Sequence, residues 1–160
     1  MLEIATSMDI SVSADRVYHS FVSADKIGNF WFSQSSADWE VGKSVALTYT
    51  EFAATVPIEI LELRANEKIV FSWGPSSDVR VITILLLPTE AGTRVSVKEQ
   101  GFKEFEDLLS EPALSASLSY EYHAILSTLL DGKGGWTFML TCLKAYLENN
   151  VTTLRLGLIP

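Results

Sequence analysis

The C-terminal stretch Gly134–Glu148 constrains this chain more than any other segment. It reads as one long helix that follows a run of strands. Thr137, Thr141, Lys144 and Glu148 fall on a single line of its surface, and the rest is apolar. At ~100° per residue the apolar arc covers roughly 220°, about twice the stripe of an ordinary surface helix. Such a helix must be covered on more than one side. A sheet can cover one flank, and more protein, a partner or a ligand must cover the other.

The length of 160 residues suits one domain spanning 1–160. A net charge of −8 with scattered Lys and Arg supplies no basic stripe, so nucleic acid and anionic membrane are excluded as expected partners. Cys142 is the single cysteine and lies within the apolar arc, where it reads as a small hydrophobe. The start Met1–Thr6 lacks the basic and apolar regions of a signal peptide, and Val81–Leu87 is too short to span a membrane, so a cytoplasmic protein is expected.

Along the chain, Leu2–Val12 reads as a first strand. Ser13 is a helix N-cap with Asp15 in the first turn, and Val17, Tyr18 and Phe21 give that short helix its apolar side. Ala24–Phe32 reads as a second short helix, and Ser33–Gly42 as a loop. Five strands follow: Ser44–Thr50, Thr55–Leu63, Lys68–Trp73, Val79–Leu87 and Thr93–Gly101. Pro57 argues for an edge or a bulge in the second of these. The connections are short, which predicts an antiparallel meander. Leu118–Leu130 has helical apolar spacing, and Gly132–Gly135 is expected to break it before the final helix. Asn149-Asn150 ends that helix, and the tail to Pro160 is apolar and β-prone. The expected architecture is α+β, a curved antiparallel six-stranded sheet wrapped around the C-terminal helix, with two short helices after the first strand.

Three stretches carry a resemblance. They are Trp31-Phe32 with Asp38–Gly42, then Glu59–Leu63 with Lys68–Trp73, and then Gly135-Trp136 leading to Leu140, Leu143-Lys144 and Tyr146–Glu148. Glu99–Phe102 fits the end of the last strand. In this order they resemble the helix-grip fold of START-like lipid-transfer domains and the birch-pollen allergen group. Closer still, they resemble homologues of the heat-shock-protein-90 ATPase activator. The likeness spans about residues 1–103 and 134–149. A segment of about 103–133 is inserted relative to such proteins, and the tail 150–160 is extra. The resemblance implies a domain that binds a small apolar or aromatic ligand between sheet and helix, with a stress-response association and a chaperone as partner. The apolar tail suggests packing on its own domain or across a homodimer.

The residues themselves carry no strong catalytic motif. Gly132–Gly135 lacks the Lys-Ser/Thr that a phosphate loop requires. His19 and His123 are isolated, and no third ligand accompanies them, so neither metal nor cofactor is expected. Trp31, Tyr49, Phe71, Trp73 and Trp136 can all point inward, as can Met139 and Leu143 on the helix. Together they form the expected ligand-binding lining. Glu99 alternates with Val95 and Val97 and so shares the inner face of its strand. Two readings follow for it: a carboxylate past the edge of the core, in water, which charged residues favour, or a polar group at a cavity mouth. Three functions stay open: a ligand-binding module, a polyketide cyclase- or aromatase-like enzyme using Glu99 (or Arg80), and a chaperone co-activator-like interaction protein.

Overall fold

The computed structural model describes residues 1–110 and 118–158. Residues 111–117 of the inserted segment and 159–160 of the tail lie outside the described residues. The strands are β1 (Glu3–Ile10), β2 (Gln34–Ser35), β3 (Ser44–Tyr49), β4 (Ala54–Arg64), β5 (Lys68–Trp73), β6 (Arg80–Thr89) and β7 (Gly92–Gln100). The helices are α1 (Ala14–Val22), α2 (Lys103–Ser110) and α3 (Leu118–Asn149).

All seven strands form one open antiparallel sheet in the order β1-β7-β6-β5-β4-β3-β2. This is the expected helix-grip arrangement with one strand added. Two-residue β2 pairs with β3 through Gln34↔Thr48 and Ser35↔Leu47, and is too short for any periodicity to reveal. Ser13 caps α1 by accepting from the Arg16 N–H. The second short helix shrinks to a 3-10 turn at Ile27–Asn29. The chain doubles back there: a Cβ on Gly28 would stand 2.5 Å from the Ser33 carbonyl, a fold-back that a regular helix to Phe32 would forbid.

Pro57 lies where β4 is paired with β3 alone, because β5 reaches only to Glu59↔Ser72. Its missing N–H thus falls at a local edge, and the bulge in β4 sits between Ile60 and Glu62 instead. Inward-facing Ile58, Ile60, Ile69, Phe71, Ile82, Ile84, Val95 and Val97 make the sheet's core face, and Trp136, Met139, Leu140, Leu143 and Leu147 of α3 pack on it.

The polar line of α3 turns out to be its seat on the sheet edge. Lys144 Nζ donates to the Asp9 carbonyl at 2.8 Å and the Ser11 N–H donates to Glu148 at 2.7 Å. The Thr6 and Thr137 hydroxyls meet at 3.3 Å. Lys144 and Glu148 satisfy backbone groups of Asp9 and Ser11 at the end of β1, on the side that no described strand covers.

Gly132–Gly135 does not interrupt the helix, contrary to expectation. The apolar line Ile125, Leu129, Trp136, Leu140, Leu143 and Leu147 keeps helical register straight across the glycines, and tertiary packing overrides their ~1 kcal/mol propensity penalty. Gly132 lies close to β1: a Cβ there would stand 2.6 Å from Ile4 Cδ1, the end of a side chain that would have to shift. The tail is a 3-10 turn at Leu154–Leu156, not a strand. Arg155 seats it on its own domain, donating to the Gly28 carbonyl at 2.8 Å, the Trp31 carbonyl at 3.2 Å and Glu51 at 2.7 Å. Leu154, Leu156 and Leu158 stay exposed.

Candidate functional site

A cavity of about 470 Å³ opens between the sheet and the part of α3 around Gly132 and Trp136. Trp73 ends β5 and is the cross-strand partner of Arg80, the first residue of β6. Glu99 stands near the end of β7, opposite Ile82 on one side and Ile4 on the other. Trp136 arrives from α3, and Trp31 and Phe32 from the chain after the 3-10 turn. Tyr49, Val56 and Phe102 complete the apolar wall, and Gly132 and Gly135 leave the helix side bare. The cavity reaches solvent beside Gly74, Thr128 and Gly135, all exposed.

The structure decides between the two readings of Glu99. It is not in water but 6% exposed. Its Oε2 accepts from the Trp136 indole N–H at 2.7 Å and its Oε1 from the Trp73 indole N–H at 3.2 Å. Arg80 Nη1 stands 4.0 Å from Oε1. Converging donors offset the cost of burying the charge, which is why the usual preference of carboxylates for water fails here.

Arg80 is itself held in place. Its Nη2 donates to Asp78 at 2.6 Å and its Nε at 3.2 Å. Its guanidinium lies 4.0 Å from the centre of the Phe102 ring, and 5.7 Å from that of Phe105 in α2. The Leu2 N–H donates to Glu106, which ties α2 to the start of β1.

The aromatic walls are continuous. Trp73 and Trp136 stack at 5.3 Å with their planes 19° apart, and Trp31 lies 5.5 Å from Trp136. Phe32 and Tyr49 stack at 4.1 Å. Burial pushes the Tyr49 phenol up to about 12 and the Cys142 thiol to about 11. Cys142 is away from the cavity lining and, as a buried thiol, unreactive. Below Tyr49, hydrogen bonds from the Ser33 hydroxyl, its own backbone N–H and Arg155 hold the Glu51 carboxyl down at about 2.

Of the eight residues expected to line a site, Trp31, Tyr49, Trp73, Glu99 and Trp136 meet on this cavity. Phe71 and Leu143 do not. Both are fully buried in the core, with Phe71 wedged against Trp31, Trp39 and Trp73. Met139 faces a separate recess of about 100 Å³ that it shares with Phe30, Phe138 and Arg155. Sequence reasoning gave Arg80 only a reserve role, yet it lines the cavity with Glu99. It also missed Phe102, Gly132 and Gly135. The glycines carried a usable signal, since they occupy inward or flanking positions at helical spacing where the apolar line would otherwise place bulk.

Among the described residues, no group of three or more His, Cys, Asp and Glu converges as a metal site would require, and no helix is long and apolar enough to cross a membrane.

Residues 11–148 match the sequence model of the family described as "Activator of Hsp90 ATPase homolog 1-like protein". Among solved structures, the chain is similar to protein SSP2350 from Staphylococcus saprophyticus at 36% identity, covering 94% of this chain and 95% of that one, with a TM-score of 0.74. It is similar in fold to the Aha1 dimer from Colwellia psychrerythraea at 15% identity, covering 93% and 98%, with a TM-score of 0.69. CalU16 from Micromonospora echinospora shares the fold at 14% identity, covering 96% and 80%, with a TM-score of 0.61. No curated protein sequence matches the chain.

Proposed function

Because this chain belongs to the Activator of Hsp90 ATPase homolog 1-like family, we propose that it is a ligand-binding module, holding a small apolar or aromatic molecule between its sheet and α3. The observation that supports this reading is the cavity of about 470 Å³, walled by Trp31, Phe32, Tyr49, Trp73, Phe102 and Trp136. A large apolar pocket with few convergent polar groups is the general form of a small-molecule site. The family does not specify the ligand, since one fold hosts many functions.

The test is a titration with lipids, flavonoids and polyketide-like aromatics, followed by tryptophan fluorescence. Three of the four Trp line the cavity, so occupancy is expected to change emission saturably. Silence across the panel, with the cavity collapsed in a crystal structure, contradicts the reading.

One observation favours a second reading, a cyclase- or aromatase-like enzyme: Glu99 lines the cavity, and the described residues place one indole donor on each of its oxygens, which leaves an acceptor site on each. A carboxylate so placed can take a proton from a bound substrate. Full turnover by Glu99→Gln on any substrate found would eliminate it as acid or base.

A further inference from the structure

We infer that Glu99 selects the ligand by chemical class, and that the class is a neutral, planar, fused-ring molecule carrying a hydroxyl at one edge, a phenol and not a fatty acid or other carboxylate. The inference rests on the ligand-binding reading above and deepens it.

The charges come first. Asp78, Arg80 and Glu99 cluster at one end of the cavity with one net negative charge between them. Arg80 could in principle capture an anionic ligand. Its Nε and Nη2 are instead spent on Asp78, and its Nη1 lies 4.0 Å from Glu99. A ligand carboxylate approaching that Nη1 would come up against Glu99, and like charges so close in a poorly solvated site repel strongly. The wall that would bind the head of a fatty acid is therefore the wrong sign.

The hydrogen-bonding capacity comes next. A carboxylate offers about four acceptor sites, and the two indoles fill one on each oxygen of Glu99. What remains accepts and cannot donate, so the ligand must bring the hydrogen. A hydroxyl does so with a short, charge-assisted bond, stronger than a neutral one. An amide or ether oxygen finds no donor at Glu99.

Shape completes the class. The Trp73 and Trp136 rings lie nearly parallel, 19° apart, and both turn their N–H edges toward Glu99, so the carboxylate stands at the rim of an aromatic wall. Phe32 and Tyr49 form a second stacked pair on the same cavity. Aromatic surfaces of this kind favour a flat ring system by offset stacking and edge contacts. A flexible chain would gain less from them and lose more entropy.

The test uses the full-length protein and four probes at neutral pH: 2-naphthol, naphthalene, 2-naphthoate and decanoate. Binding is measured by calorimetry, and the indole N–H resonances are followed in a nitrogen-15-labelled sample. The naphthol is expected to bind about tenfold tighter than naphthalene, reflecting one hydrogen bond to a charged acceptor. Both anions are expected to bind weakest, with the Trp73 and Trp136 indole signals moving most on naphthol binding. Glu99→Gln, which keeps the shape and removes the charge, is expected to narrow the naphthol preference and raise affinity for 2-naphthoate. Equal affinity for naphthol and naphthalene overturns the role of Glu99 while leaving the cavity reading intact. Tightest binding by either anion overturns it in favour of Arg80. If the wild-type protein binds none of the four, the cavity reading itself fails and takes this inference with it. The comparison among wild-type affinities decides the matter even if Glu99→Gln does not fold.

Discussion

The two ends of α3 share one apolar line and do opposite things with it. From Trp136 onward the line is filled by large side chains, Met139, Leu140, Leu143 and Leu147 lie against the sheet, and a polar row latches onto β1. Before Trp136 the same line holds Ile125 and Leu129, and then glycines. At Gly132 the helix closes on Ile4, whereas Gly135 puts no side chain over the cavity, and both line it. The contrast teaches that a core element becomes a binding element by deleting bulk, without changing its direction. Leu126 and Leu130, which lie off that line, are 53% and 68% exposed, whereas Ile125 on it is buried as Leu140 and Leu143 are.

The largest effect should separate the two ends directly. Leu143→Ala removes buried methyls from a packed site and is expected to cost about 2–5 kcal/mol by chemical denaturation. Leu129→Ala, at a half-buried position beside the cavity, should cost about 1 kcal/mol. Equal costs would break the comparison.

Glu99→Gln comes second. It leaves one of the two indole N–H groups without an acceptor and is expected to destabilise by about 1–3 kcal/mol. A denaturation midpoint identical to that of the wild type would show that the indoles find other partners.

Gly135→Ala should act the other way. A Cβ at Gly135 meets nothing within 4 Å, so the change removes a helix-propensity penalty at no steric cost and is expected to stabilise by about 0.5–1 kcal/mol. A lower melting temperature would mean that the glycine serves the fold and not the cavity.

The smallest effect concerns the tail. Glu51, bound to Ser33 and Arg155, is lowered from 4.5 to about 2. A depressed carboxyl contributes stability above its unfolded value and loses it as pH falls through its folded value. The difference in melting temperature between wild type and Glu51→Gln should therefore be constant above about pH 4.5 and shrink as pH approaches 2. A gap that instead grows on acidification would rule out the Arg155–Glu51 latch.

Much of the fold was legible because strand alternation and helical spacing repeat over many residues. Val95, Val97 and Glu99 declared their common face, and so did Ile69, Phe71 and Trp73. What escaped was non-local or too short to be periodic. The two residues of β2 have no period, and the second short helix was undone by the approach of Ser33 to Gly28. The glycines of α3 looked like a break because propensity is local, whereas the packing that holds them helical spans the sheet. At the site, the aromatics could be placed by alternation. The burial of Glu99 could not, because it depends on two indoles that are 26 and 37 residues away in the chain. Phe71 and Leu143 faced inward as expected but met core instead of cavity, since alternation fixes a face and not a depth.

The most direct measurement is calorimetric titration of 2-naphthol into three proteins: wild type, Gly135→Leu and Gly134→Leu. Both glycines have open space around them, but only Gly135 lines the cavity. The account predicts saturable binding to wild type and to Gly134→Leu, and its loss in Gly135→Leu with the fold intact. Unchanged binding by Gly135→Leu would contradict it, because the ligand would then lie elsewhere than between the sheet and the glycine end of α3.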